Sequence, residues 1–411
     1  MPVQLFKNAR IVDGSQADLP DPVDFAVEDG RFVEVGTSLS LDADTTMDLG
    51  GAVVMPGLID CHVHISMVSG NLALSAALPN TWVAHKSAQI MKGMLMRGFT
   101  TVRDMGGADW GICQAQRDGL FDGPRVVMCG KALSQTGGHN DYRQRYDTGY
   151  PQHYETNLGS MGRIVDGVDS VRRAAREEIK GGAEFLKVMA DGGVSSPSDP
   201  IGYLVFSRDE LKAIAEVADG YGTYVSGHLY CDEAIQRALD CGIGCVEHGN
   251  LASDDTIARM AREGVPVVPT NITLDIVSKM GADAGMEPAA MERAESIRGA
   301  GLERTAKWVE AGVMLGFGTD LLGDMHPYQS DEFLIRANHL PNHTVIRSAT
   351  LDAAKILRKE GEIGVIAAGA HADFIVVNGN PLEDISVLTD QGSRIDMIVQ
   401  GGVAKKKSAA L

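Results

Sequence analysis

The chain has 411 residues, 44% of them hydrophobic, and a formal net charge of -18. That length allows one large domain with a satellite, or two of medium size. The acidic balance argues against nucleic acid and anionic membranes as partners, because both need basic patches. No apolar run is long enough to cross a bilayer.

In chain order, the first ten residues lack the apolar core of a signal peptide and read as a strand. Residues 1–55 hold short alternating segments at 3–9, 25–28 and 31–35, with Glu28-Asp29-Gly30 as a turn. From residue 56 the pattern changes. Eight β-type runs are predicted at 58–65, 100–104, 125–129, 185–189, 223–226, 244–247, 265–269 and 313–316. Amphipathic helices are predicted between them, among others at 84–97, 170–181, 208–221 and 232–241. Within 170–181, Val171, Ala174, Ala175 and Ile179 recur at helical spacing. Eight strand–helix units in series predict an α/β fold, a TIM-like (β/α)8 barrel over 56–359. A doubly wound sheet is the alternative, but neither Gly-x-Gly-x-x-Gly nor a P-loop supports it. Residues 360–411 return to the style of the first 55. Neither end has enough strands for a core, so 1–55 and 360–411 are expected to join in one small β-sandwich domain. The six cysteines form no Cys-x-x-Cys pair. Free thiols and a cytoplasmic location are the expectation.

Residues i and i+2 of a strand share a face, so His62 and His64 can point the same way. Such a pair suits zinc and similar ions. Alone it reads as easily as core or surface. Position adds weight: Lys187, His228, His248 and Asp320 sit at the ends of other predicted strands, which converge on one mouth in a barrel. A lysine inside an apolar strand is costly to bury charged. It could pair with Glu184 or Asp191, and Asp320 could merely cap the following helix. His85, His153, His339, His343 and His371 read as structural or solvated, and His326 stays open. The 131–167 segment, with Gly137-Gly138-His139, is long enough for a lid or specificity wall. Its Arg143 or Arg145 could meet an anionic substrate group or simply be solvated.

The order His-x-His, Lys, His, His, Asp on strands one, four, five, six and eight resembles the amidohydrolase superfamily. Met55-Pro-Gly-Leu-Ile-Asp60 and residues 364–377 extend the resemblance over nearly the whole chain. The segment 98–104, Gly137-Gly138-His139 and His228-Leu229-Tyr230 are similar to the branch of Xaa-Pro dipeptidases (prolidases), related carboxypeptidases and ochratoxin-degrading amidohydrolases. The resemblance implies two divalent metal ions, zinc first, with manganese or cobalt open. It implies that His62, His64 and Asp320 hold one ion and His228 and His248 the other. Lys187, carboxylated by CO2 to a carbamate, would bridge them together with a hydroxide. That hydroxide would attack an amide beside a free C-terminal carboxylate, and Asp320 would carry the proton to the leaving amine. His139 and Tyr230 would be catalytic and substrate-binding groups, stabilising the oxyanion or holding the carboxylate. The implied substrate is a dipeptide or small molecule, ochratoxin A included. A homo-oligomer, an octamer by resemblance, is implied as well. The competing expectations are a cyclic amide hydrolase of imidazolonepropionase or hydantoinase type, and a non-catalytic binding protein.

Overall fold

The structure is a computed structural model that describes residues 2–144, 146–149, 152–196, 198–283 and 285–409, without the side chains of Gln152 and His153. Five strands precede the first histidine: β1 (Gln4–Ile11), β2 (Val23–Glu28), β3 (Arg31–Gly36), β4 (Thr45–Asp48) and β5 (Val53–Pro56). The middle contains β6 (Leu58–Val63), β7 (Phe99–Asp104), β8 (Arg125–Met128), β9 (Ala132–Ser134), β10 (Gly162–Ile164), β11 (Leu186–Met189), β12 (Val225–Cys231), β13 (Cys245–Leu251) and β14 (Val267–Val268). Then come β15 (Phe374–Val377), β16 (Ile395–Gln400) and β17 (Val403–Lys407).

The two ends meet, as their matching style suggested. One connected sheet runs β17-β16-β15-β5-β1-β2-β3, with β4 beside β1. The join is antiparallel between β15 and β5, with Phe374 opposite Pro56. What holds it is aromatic: Phe6, Phe25, Phe32 and Phe374 are buried. Phe374 packs edge-on against Phe6 and Phe25 with ring centroids 5.1 Å apart. Rings in this geometry add to the area that they bury.

The middle strands pair in parallel, as β6-β7-β8 and β10-β9-β11-β12-β13-β14. Backbone hydrogen bonds run beyond these ladders. Glu184 N donates to Met128 O, linking β8 to the start of β11; Gly316 N donates to Val267 O, and Cys61 N to Phe317 O. The predicted helices are present at Asn80–Met96, Val168–Lys180, Arg208–Gly220 and Asp232–Asp240. The third begins with a capping box, Ser207 and Glu210 each accepting from the other's backbone. The fold is therefore mixed α/β with parallel sheets. Among the described residues no helix is long and apolar enough to cross a membrane.

Three local expectations change. Strands β12 and β13 outrun the predicted 223–226 and 244–247, because Gly227 and Gly249 do not end them. Gly227 is instead needed for space, since a Cβ there would lie 2.8 Å from Leu229. Residues 313–316 form no strand and make one parallel bridge, Leu315 to Val267. The 131–167 segment is not a bare loop: it carries β9, β10 and the helix Gln152–Glu155, and Leu133 of β9 pairs with Val188 of β11.

Candidate active site

The parallel strands carry His62 (β6), Lys187 (β11), His228 (β12) and His248 (β13), while His64 and Asp320 lie just beyond regular structure. All six line one cavity, together with His139 and Tyr230. Its water-accessible volume is about 30 Å³.

Three of the four imidazoles, those of His62, His64 and His248, are fixed from behind. His62 Nδ1 lies 2.7 Å from Glu247 Oε2, and His64 Nδ1 lies 2.9 Å from Gly106 O. A ring nitrogen beside such an acceptor carries the proton, so Nε2 keeps its lone pair. Both Nε2 atoms face Asp320 Oδ1, at 3.4 Å from His62 and 3.2 Å from His64. His248 Nδ1 is held at 2.8 Å by Thr270 Oγ1, and its Nε2 meets His228 Nδ1 at 3.0 Å. Burial, with neighbouring histidines adding to it, holds His228 and His248 well below the ordinary histidine pKa. Neutral imidazole is the form that binds metal. Burial pushes the Asp320 carboxyl up, but His62 and His64 outweigh it and hold Asp320 well below the usual range. His62, His248 and Asp320 place ligand atoms within 4.8 Å of one another. Burial lowers the His62 pKa, but Asp320 and Glu247 outweigh it and hold it above the ordinary value, so these acids favour a positive charge here. Imidazole nitrogens beside an ionised carboxylate fit a divalent cation.

The backbone is strained where these side chains leave it. His248 has φ 71° and Asp320 φ 53°, in the left-handed region that non-glycine residues avoid. Such positions cost on the order of 1 kcal/mol or more each and persist where surroundings hold them. Asp320 caps no helix; the next one, Gly323–Asp331, has Leu322 at its cap.

Lys187 is 1% exposed. Burial lowers its pKa, opposed by Glu247 and Asp320 acting through space. The ordinary partners suggested by the sequence are engaged elsewhere. Glu184 pairs with Lys359 at 2.8 Å, and Asp191 Oδ2 accepts from the backbone of Tyr230 and Cys231.

His139 is buried with its ring 4.7 Å from that of His228, and its Nδ1 has no hydrogen-bond partner among the described residues. Burial pulls its pKa down to about 4. Gly193 packs against it so closely that a Cβ would lie 2.0 Å from Nδ1. Tyr230 lies within β12 rather than after it. It stacks on His248 at 4.8 Å, and burial pushes its phenol up.

Sequence reading missed the residues that brace this cluster. Glu247 accepts from Arg103 Nη2 at 2.6 Å and from Ser226, while it faces His62. Asp60 accepts from Thr319 Oγ1 at 2.7 Å and from the His62 amide. Asp104 accepts from the amides of Ile65, Gly106 and Ala108. Their signal was available, because each is a charge inside an apolar strand, as Lys187 is. Arg143 does not reach the cavity; it forks onto Asp141 of its own segment. Arg145 lies outside the described residues, as does the side chain of His153. His326 is buried beside a separate hollow with Arg97 and Lys86. His85 sits against Thr81 O, and His371 forms a bridge with Arg31.

The model of the amidohydrolase family matches residues 53–404. Ochratoxinase of Aspergillus niger is 30% identical over 350 residues, covering 82% of this chain and 72% of the relative. A prolidase structure complexed with N-methylphosphonate-L-proline is 44% identical, with a TM-score of 0.96, covering 99% of this chain and 100% of that one. A Xaa-Pro dipeptidase with methionine bound in its active site is 28% identical, with a TM-score of 0.85, covering 98% and 100%.

Proposed function

The chain belongs to the amidohydrolase family, and from that premise we propose that it hydrolyses an amide bond next to a free C-terminal carboxylate, as a prolidase or related dipeptidase does. The observation that carries this is the convergence of His62, His64, Lys187, His228, His248 and Asp320 on one cavity, with His62, His64 and His248 braced from behind. Ochratoxin A is an amide of phenylalanine, so the similarity to the Aspergillus ochratoxinase supports an N-acyl amino acid as the substrate.

In this reading His62, His64 and Asp320 hold one divalent ion, and His228 and His248 a second. Lys187 takes up CO2: its neutral amine forms a C–N bond, releases a proton and becomes a carbamate anion. That change turns an enclosed amine into an anionic oxygen ligand, whose burial the two cations would offset. When bound, the metals supply Lewis-acid polarisation of the carbonyl and lower the pKa of water. Asp320 is the proton carrier, since Oδ1 faces the histidines and Oδ2 is left over. His139, with a ring nitrogen that has no partner among the described residues, and Tyr230 take the oxyanion and the substrate carboxylate.

The same premise extends to the scaffold. The bonds from β8 to β11, from β14 to Gly316, and from Phe317 to β6 support a closed (β/α)8 barrel over 56–359. The phenylalanine cluster between strands of both ends supports a small β-sandwich domain from 1–55 and 360–411.

A screen of dipeptides and N-acyl amino acids, including Xaa-Pro and N-acyl-Phe compounds, tests the activity. We expect release of the C-terminal amino acid, abolished by chelation and restored by zinc. Turnover of cyclic amides alone, or turnover that survives complete metal removal, contradicts the proposal.

A further inference from the structure

A second hollow adjoins the catalytic cavity and shares Leu72, Ser195 and Met286 with it. It offers about 380 Å³ of water-accessible space, against about 30 Å³ over the cluster. A substrate whose amide reaches the cluster therefore has room for its bulk in this outer hollow.

Among the described residues two charged ones line it, Arg293 and Glu287, and they differ in kind. Glu287 is exposed at the start of the helix Pro288–Glu310, where water screens it. Arg293 is half-buried and anchored: Nε donates to Val194 O at 2.9 Å, and Nη2 to Ser196 O at 2.7 Å. Those carbonyls belong to the segment that carries Gly193 against His139 and Ser195 between the two hollows. The guanidinium thus has a fixed orientation, and its Nη1 makes no hydrogen bond among the described residues. No carboxylate pairs with it there; Asp199 and Glu292 act on it only through space. Burial pushes the Asp199 carboxyl up to about 7, which weakens its compensating charge. A rigid guanidinium with a free edge recognises carboxylates.

We propose that the outer hollow is the subsite for the acyl side of the substrate and that Arg293 selects acyl groups bearing a carboxylate, such as a succinyl group or an acidic N-terminal residue. This rests on the reading above, in which His139 and Tyr230 serve the oxyanion and the α-carboxylate, leaving the acyl side to extend outward.

The test compares N-succinyl-L-proline with the neutral N-pentanoyl-L-proline on the metal-loaded enzyme. We expect kcat/KM to favour the succinyl compound by about 10-fold, one well-formed charged contact. In Arg293→Gln that ratio falls to near one, and in Arg293→Lys it keeps its direction. A ratio near one in the wild type, or a ratio unchanged in Arg293→Gln, overturns the subsite. If neither compound is hydrolysed, the proposed activity fails, and calorimetric binding of N-succinyl-L-proline decides the subsite alone. Binding about 10-fold weaker in Arg293→Gln supports it. Equal binding overturns it.

Discussion

Lys187 is an amine enclosed by the protein, with Glu247 and Asp320 acting on it through space, and Asp199 is a buried carboxyl whose oxygens have no hydrogen-bond partner among the described residues. Each makes a prediction. Lys187→Met should stabilise the metal-free protein by about 1–3 kcal/mol, because a desolvated amine leaves the interior. The same variant should lose bound metal. Denaturant melts of the stripped protein and metal analysis of the loaded one check both effects. Unchanged metal content would remove Lys187 from the ligand set. For Asp199, the folded pKa of about 7 lies above the ordinary aspartate value. The folded state therefore binds the extra proton between about pH 4 and 7, and stability falls as pH rises through that window. Asp199→Asn should match the wild type near pH 4 and exceed it above pH 7 by on the order of 2 kcal/mol. Thermal melts at the two pH values read this directly. The sequence revealed the ligand-type residues, because histidines and a lysine at apolar strand ends are visible as such. It could not reveal the bracing pairs. Glu247 and Arg103 are far apart in the chain, and only folding brings them to 2.6 Å. The positive φ of His248 and Asp320 was equally hidden, since both are ordinary residue types.

At the scale of the element, the helices were the most legible. The pattern at 170–181 matches Val168–Lys180 closely, because one face of that helix is buried. Strands were harder wherever glycine intervened. Glycine reads as a breaker, yet Gly227 and Gly249 allow close packing inside or beside continuing strands. The run 313–316 erred the other way. Its apolar residues looked like a strand, but Gly316 and Gly318 leave little of a ladder, and a Cβ at Gly318 would lie 2.4 Å from Val268. Caps are testable independently of the site. Ser207→Ala should cost about 1 kcal/mol by removing half of the capping box before Arg208–Gly220. A denaturant melt with unchanged slope would show that loss as lower stability alone.

For the whole molecule, the decisive join is between the chain ends. Phe374→Ala should cost about 3–5 kcal/mol, because it empties the centre of the aromatic cluster. Equilibrium unfolding measures it, and a loss below 1 kcal/mol would mean the ends are held by something else. Alternation of strands and helices was readable from the hydrophobic pattern, and the shared style of the ends hinted that they meet. Which strand pairs with which was not readable, because register depends on contacts between distant segments. The pairing of β15 with β5 has a further consequence during synthesis. Strand β5 leads directly into β6 and His62, yet its partner leaves the ribosome tens of seconds later at about 5–20 residues per second. The nascent chain must wait with an open sheet edge at the foot of its own catalytic strand. Ribosome-bound chains halted before residue 374 should therefore be cut readily by protease near β5, and chains carried past residue 407 should resist.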